Sequence, residues 1–225
     1  MQNLAIRAEG LTKRYRSVAA LDHLDLEVAP GEVIGYLGPN GAGKTTTIKL
    51  LLGLIGASSG RAEIFGADCQ RRPEQTHRRL AFVPGEANLW PSLTGAETLH
   101  LLGRVHGSVD AAYRDELIAR FDLDPAKKVR AYSKGNRQKV ILIAALMSRA
   151  PLLILDEPTS GLDPLMEEAF RLSVNQARDP TPTGARRRSA SPCRTGSTTR
   201  RWTATRSPTP PAAGTSPAPR KPSTR

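Results

Sequence analysis

Residues 36–50 read YLGPNGAGKTTTIKL, placing three glycines and a lysine between an apolar run and a segment with helical spacing. Within that stretch, residues 38–45 (GPNGAGKT) fit G-x-x-x-x-G-K-[ST] at every specified position. Gly38, Gly41 and Gly43 permit positive φ and present no Cβ, so successive backbone N–H groups can converge on phosphate oxygens. The start of the following helix adds the positive end of its dipole. Lys44 supplies an ammonium for the outer phosphates, and Thr45 a hydroxyl for Mg²⁺. Residues 32–37 (EVIGYL) are apolar enough for a buried strand, and residues 44–54 repeat with helical period. The loop is therefore expected at a strand-to-helix turn, the context its chemistry requires.

The rest of the chain divides in two by composition. Residues 1–178 carry 23 Lys+Arg against 20 Asp+Glu, and residues 179–225 carry ten against one, so the net charge of +12 splits as +3 and +9. From Asp179 onward there is no Leu, Ile, Val, Phe, Tyr or Met. Such a segment buries too little apolar surface to offset its chain entropy, so 179–225 reads as a disordered basic Arg/Pro/Thr/Ser tail. The two cysteines, Cys69 and Cys193, form no C-x-x-C pair, which excludes a zinc knuckle or disulfide framework and fits a reducing cytosol. The opening MQNLAIRAEG has no apolar signal core. The longest apolar run, 140–147, falls well short of the roughly 18 residues of a membrane span. Any membrane role is expected to come through a partner.

Between residues 1 and 178 the pattern alternates strands and helices. Leu4, Ile6 and Ala8 alternate with polar residues, as does LDLEV (24–28), predicting an antiparallel pair that feeds the strand at 32–37. Further strands are predicted at 61–65 and 80–83. Helical patterns follow at about 95–106, 110–121 and 134–149, with Ser92 or Thr94, Asp110 and Ser133 as candidate caps. The layout is α/β: a parallel sheet core, an N-terminal antiparallel β region and a helical subdomain at about 88–149.

A second chemical site lies at LLILDE (152–157), where four apolar residues run into two carboxylates. Burial of that strand forces the acids to its carboxyl end. Asp156 is placed to bind Mg²⁺, directly or through water, and Glu157 to position or deprotonate a water attacking a γ-phosphate. Between the two sites, AYSKGNRQKV (131–140) offers Ser133 as a cap and Gly135 in the first helical turn, leaving N–H groups directed at an anion beyond.

Across residues 1–178, these three elements in this order resemble the nucleotide-binding subunit of ATP-binding cassette (ABC) transporters, a P-loop NTPase with a RecA-like core. YSKGNRQ (132–138) is similar to the family signature, with Ser133, Gly135 and Gln138 at matching positions, while Tyr132, Lys134 and Asn136 depart from its commonest form. The resemblance implies that Gly38, Pro39, Asn40, Gly41, Ala42, Gly43, Lys44, Thr45 and Thr46 hold ATP, with Thr45 and Asp156 on Mg²⁺ and Glu157 catalytic. It implies that Tyr15 stacks on adenine. It also implies that Ser133, Lys134, Gly135 and Gln138 meet the ATP of a second subunit, with Asp163 of SGLDP (160–164) crossing toward that subunit. Catalysis then needs two such chains, a homodimer, and an integral-membrane permease that would hold the protein at the inner face of the cell membrane. NLWPSLTGAE (88–97) looks most like the exporter branch. Gly85 stands where the family has a glutamine that contacts Mg²⁺ and couples to transport, with Glu86 beside it.

Two family features have no counterpart here. The histidines are His23, His77, His100 and His106, so no switch histidine follows Glu157, and the apolar strand expected before it is absent. In the related fold that strand lies between the strands carrying the phosphate loop and the paired acids. Its loss would leave backbone groups on both neighbours without partners. The tail is therefore expected to be an out-of-frame translation or another truncation rather than an evolved linker. The rival reading is a genuine basic tail for anionic lipid or nucleic acid. Three function classes follow: a transport ATPase subunit, a non-catalytic ATP-binding remnant, and a nucleic-acid-linked ABC protein. The third is disfavoured, because the chain has no coiled-coil insert, zinc cysteines or second cassette; no nucleic acid is expected as partner.

Overall fold

Alternating apolar residues at the start of the chain build one sheet. The computed structural model describes residues 4–39, 41–107 and 109–178. In it β1 (Ile6–Tyr15) pairs antiparallel with β2 (Val18–Val28), Ile6 opposite Val28 and Leu11 opposite Leu24. On its other edge β1 takes β3 (Ser59–Ile64), also antiparallel, and β3 turns into the short β4 (Ala67–Asp68). The order is β2-β1-β3-β4. At Gly60, with φ +76, an added Cβ would collide with the Gly10 carbonyl, so only glycine permits this approach of β3 to β1. Helix α1 (Lys44–Leu51) delivers Leu50 and Leu51, with Leu52 just beyond, to the same core as Ile6, Ala8, Leu11, Leu24 and Ile64.

A second sheet has two strands, β5 (Leu80–Val83) and β6 (Leu152–Leu155), parallel and in register from Leu80 opposite Leu152 to Val83 opposite Leu155. Successive side chains point to opposite faces. Leu80, Phe82, Leu152 and Ile154 pack into the core around α1. Ala81, Val83, Leu153 and Leu155 pack into another formed by α3 (Gly95–His106), α4 (Ala111–Arg120) and α5 (Lys134–Met147). The sheet is thus a partition with two apolar faces, and that is why both strands read as continuous apolar runs. Short α2 (Pro73–His77) leads into β5, and α6 (Pro164–Arg178) follows the acids.

The helix starts follow from capping chemistry. Thr94 closes a reciprocal box with Glu97, its Oγ1 accepting from Glu97 N–H at 3.2 Å while Glu97 Oε2 accepts from Thr94 N–H at 2.7 Å. Asp110 accepts from Tyr113 N–H, and Ser133 from Asn136 N–H at 3.2 Å. Those backbone and hydroxyl bonds hold the Glu97 carboxyl below its ordinary range, so its contribution to stability is present above the unfolded-state value and lost as pH falls through the depressed folded value. Thr94→Ala is expected to cost about 1 kcal/mol in urea denaturation, the usual worth of an N-cap.

One expected element differs. Residues 32–37 form no strand; Val33, Ile34 and Leu37 are 65%, 41% and 89% exposed. Apolar composition creates a strand only where a neighbour accepts its ladder, and among the described residues β6 pairs with β5 alone. The helix expected over 44–54 ends earlier, at Leu51, where Leu52 N–H still closes onto Ile48. Among the described residues, no helix is long and apolar enough to cross a membrane. The tail at 179–225, with its frame-loss reading, and Asn40 lie outside the described residues.

Candidate nucleotide-binding site

The glycine-rich loop is held in shape by the β1–β2 hairpin. Gly43 is left-handed at φ +82 and is the N-cap of α1; a Cβ there would lie 2.7 Å from the Ala20 carbonyl oxygen and 3.2 Å from Leu21 Cδ1. Gly41 is also left-handed, at φ +85. Gly38 differs from expectation: it does not take positive φ, and its need for glycine is steric, because a Cβ would sit 2.9 Å from that of Ala42. Ala42 N–H bonds the Pro39 carbonyl, and the α1 ladder begins with Thr47 N–H to Gly43 at 2.8 Å. No acidic side chain occupies the first turn of α1 and no side chain caps it. The N–H groups of Thr45 and Thr46 thus have no protein acceptor among the described residues.

Lys44 Nζ donates to the Gly38 and Pro39 carbonyl oxygens at 2.6 and 3.0 Å, so the ammonium lies over the mouth of the loop. Thr45 is exposed and Thr46 half-buried. Tyr15 ends β1, 49% exposed, with Lys13 Nζ 5.0 Å from its ring centroid. It belongs to the hairpin whose other arm supports Gly43.

The acids stand where the sheet puts them. Asp156 continues the β6 ladder, its N–H donating to the Val83 carbonyl at 2.8 Å, and is half-buried. Glu157 is exposed and left-handed at φ +47, a conformation uncommon outside glycine and typical of functional turns. Gly85 lies against them: a Cβ at that position would be 3.3 Å from the Asp156 carbonyl oxygen and 3.7 Å from Glu157 Cβ. Among the described residues no hydrogen bond or ion pair joins the phosphate loop to either acid. A threonine hydroxyl and a carboxylate form a hard-oxygen donor pair, which fits Mg²⁺ completed by phosphate oxygens and water.

The segment at 133–138 is packed on the turn that follows the acids. A Cβ on Gly135 would sit 2.5 Å from the Gly161 carbonyl oxygen, and Lys134 Nζ donates to Ser160 Oγ at 3.3 Å. Ser133 and Lys134 are exposed at this end. Asp163 is exposed and caps α6, accepting from Met166 N–H at 3.0 Å. Gln138 differs from the outward role its resemblance implies, for its side chain is 1% exposed and turned inward. The spacing of Gln138 from the Ser133 cap, five residues along a helix, was the available signal: it places the two on different faces.

The fold that carries this loop and these acids is that of a P-loop nucleotide-binding protein. The profile described as ABC transporter matches residues 21–160. The daunorubicin resistance ATP-binding protein DrrA3 of Streptomyces coeruleorubidus is 46% identical over 169 residues, covering 73% of this chain and 54% of that protein. The bacitracin transport ATP-binding protein BcrA of Bacillus licheniformis is 38% identical over 177 residues, covering 77% and 58%. The chain thus spans about half the length of the curated relatives it matches. An ATP-binding subunit of an ABC transporter superposes with a TM-score of 0.72 at 32% identity, over 77% of this chain and 75% of that one. A dimeric, post-hydrolysis ATP-binding cassette bound to ADP and Pi shares the fold, with a TM-score of 0.69 at 22% identity over 78% and 83%. This chain belongs to the ABC transporter family.

Proposed function

We propose that the chain is the ATP-binding and ATP-hydrolysing subunit of an exporter whose membrane helices belong to a separate permease, with residues 1–178 as its ATP-binding domain. The observation that carries the reading is the loop at 38–45, with left-handed Gly41 and Gly43, Lys44 over its mouth, and N–H groups on α1 that have no acceptor among the described residues. Gly38, Pro39, Asn40, Gly41, Ala42, Gly43, Lys44, Thr45 and Thr46 wrap the phosphates, and Tyr15 stacks on the adenine. Thr45 and Asp156 hold Mg²⁺, which when bound neutralises charge on the β- and γ-phosphates. Glu157 accepts a proton from the water it orients toward the γ-phosphate. Ser133, Lys134 and Gly135, exposed or partly exposed at the start of α5, face the ATP of a second copy, and Asp163, also exposed, crosses toward that copy. Relatives named for daunorubicin resistance and bacitracin transport support an export role, working peripherally at the inner face of the cell membrane.

Lys44→Ala is expected to weaken Mg·ATP binding by roughly 10–100-fold in calorimetry, since a charge-assisted contact is worth about 1.5–3 kcal/mol. Purified chain should also hydrolyse ATP at steady state in a Glu157-dependent way. A second reading, binding without turnover, draws support from the exposed, unladdered segment at 32–37 that leads into the loop. ATP binding with no Glu157-dependent hydrolysis would establish it over the first.

A further inference from the structure

We infer that Gln138 is the positioning residue for Glu157, acting through the turn that carries it rather than on nucleotide; the inference rests on the hydrolytic reading of Glu157 given above. Its side chain, 1% exposed, sits between the ends of the two parallel strands. Nε2 donates to the Pro84 carbonyl, just past β5, at 3.2 Å, and to the Pro158 carbonyl, three residues past Leu155 and two past Asp156, at 3.5 Å. An amide nitrogen has two protons, and here each has one backbone acceptor.

Both acceptors border the acids. Pro84 precedes Gly85, which lies against the Asp156 carbonyl and Glu157 Cβ. Pro158 follows Glu157, whose φ of +47 needs outside support to persist. The same helix reaches the far end of that turn, with Gly135 against Gly161 and Lys134 Nζ on Ser160 Oγ. Within the turn itself Ser160 N–H closes onto the Glu157 carbonyl at 3.0 Å. Gln138 is therefore the one side chain of α5 whose amide bridges both strand-end loops, and it fixes the direction in which Glu157 leaves the sheet.

Glutamine suits this place for definite reasons. Methionine fills a similar volume but takes the side-chain donor away from two partly buried carbonyls. Asparagine keeps the donor but withdraws it by one methylene. An ionised glutamate would face two carbonyl oxygens with like partial charge.

The test measures amide hydrogen exchange on the full chain without nucleotide, together with steady-state kinetics. In Gln138→Met, exchange at Asp156 and Ser160 should accelerate roughly tenfold while amides of β1 and β3 stay protected, because the turn loosens without global unfolding. The same variant should lose about tenfold in kcat with KM unchanged, as for a loss of transition-state alignment alone. Gln138→Asn gives the same contrast if the methionine variant does not fold. Unchanged exchange at both amides, equal acceleration across the whole domain, or a raised KM at unchanged kcat would each overturn the inference. If the parent chain shows no hydrolysis, the reading of Glu157 as base fails, while the exchange measurement still decides whether Gln138 holds the turn.

Discussion

Glu157→Gln is expected to leave Mg·ATP binding near its parent value and to lower turnover by about 10²–10⁴-fold, the range in which general-base groups contribute. The substitution keeps the side chain's size and removes its capacity to take a proton. Its left-handed backbone needs no change, since glutamine meets the same steric demands as glutamate at φ +47. The carboxylate is exposed and clear of the sheet, so stability should change little. Calorimetric titration with Mg·ATP alongside phosphate release separates the two effects. Equal losses in binding and turnover would count against Glu157 as base and point to a contact made in the ground state.

Phe121→Ala is expected to be the most damaging single change to the fold, at about 3–5 kcal/mol. Phe121 is 0% exposed and lies at the end of α4, where its N–H bonds the Leu117 carbonyl at 2.9 Å. It shares a core with Leu99, Leu117, Val140, Leu142 and Ile143, drawn from all three helices of that layer. Asp122 beyond it is left-handed at φ +47, so the chain turns at once and has little freedom to refill the space. Because domains are stable by only about 5–15 kcal/mol, the loss would consume a large part of the margin. Urea unfolding followed by tryptophan fluorescence measures it directly, with Trp90 as the reporter among the described residues.

What a motif depends on decides whether it can be read from sequence. The phosphate loop was legible because its constraints are local: a left-handed Gly43 and an ammonium at Lys44 follow from short-range sterics and charge. The caps at Thr94, Asp110 and Ser133 were legible for the same reason. β5 and β6 could be read from apolar runs alone because both of their faces are covered. Residues 32–37 carry an equally apolar run yet form no strand, since ladder bonds depend on a neighbour that local composition does not encode. α6 has no counterpart among the elements expected from sequence: Leu165, Ala169 and Leu172 repeat at helical spacing in PLMEEAFRLSVNQAR, but of the three only Ala169 is buried, so the apolar stripe is weak. The place of Gln138 in its motif implies an outward role, and only packing reveals which way its amide turns.

The exposed run at 32–37 bears on how the protein behaves in solution. Val33, Ile34 and Leu37 present apolar side chains to water on a segment with one charged residue, Glu32, while β6 keeps a strand edge that no described residue pairs. Exposed apolar segments and open strand edges are each templates for other chains. Light scattering should therefore rise steeply with protein concentration, and Leu37→Lys, which places a charge at the most exposed of the three, should suppress it. Colloidal stability, and with it the concentration at which the protein can be handled, is expected to depend on these six residues next to the glycine-rich loop.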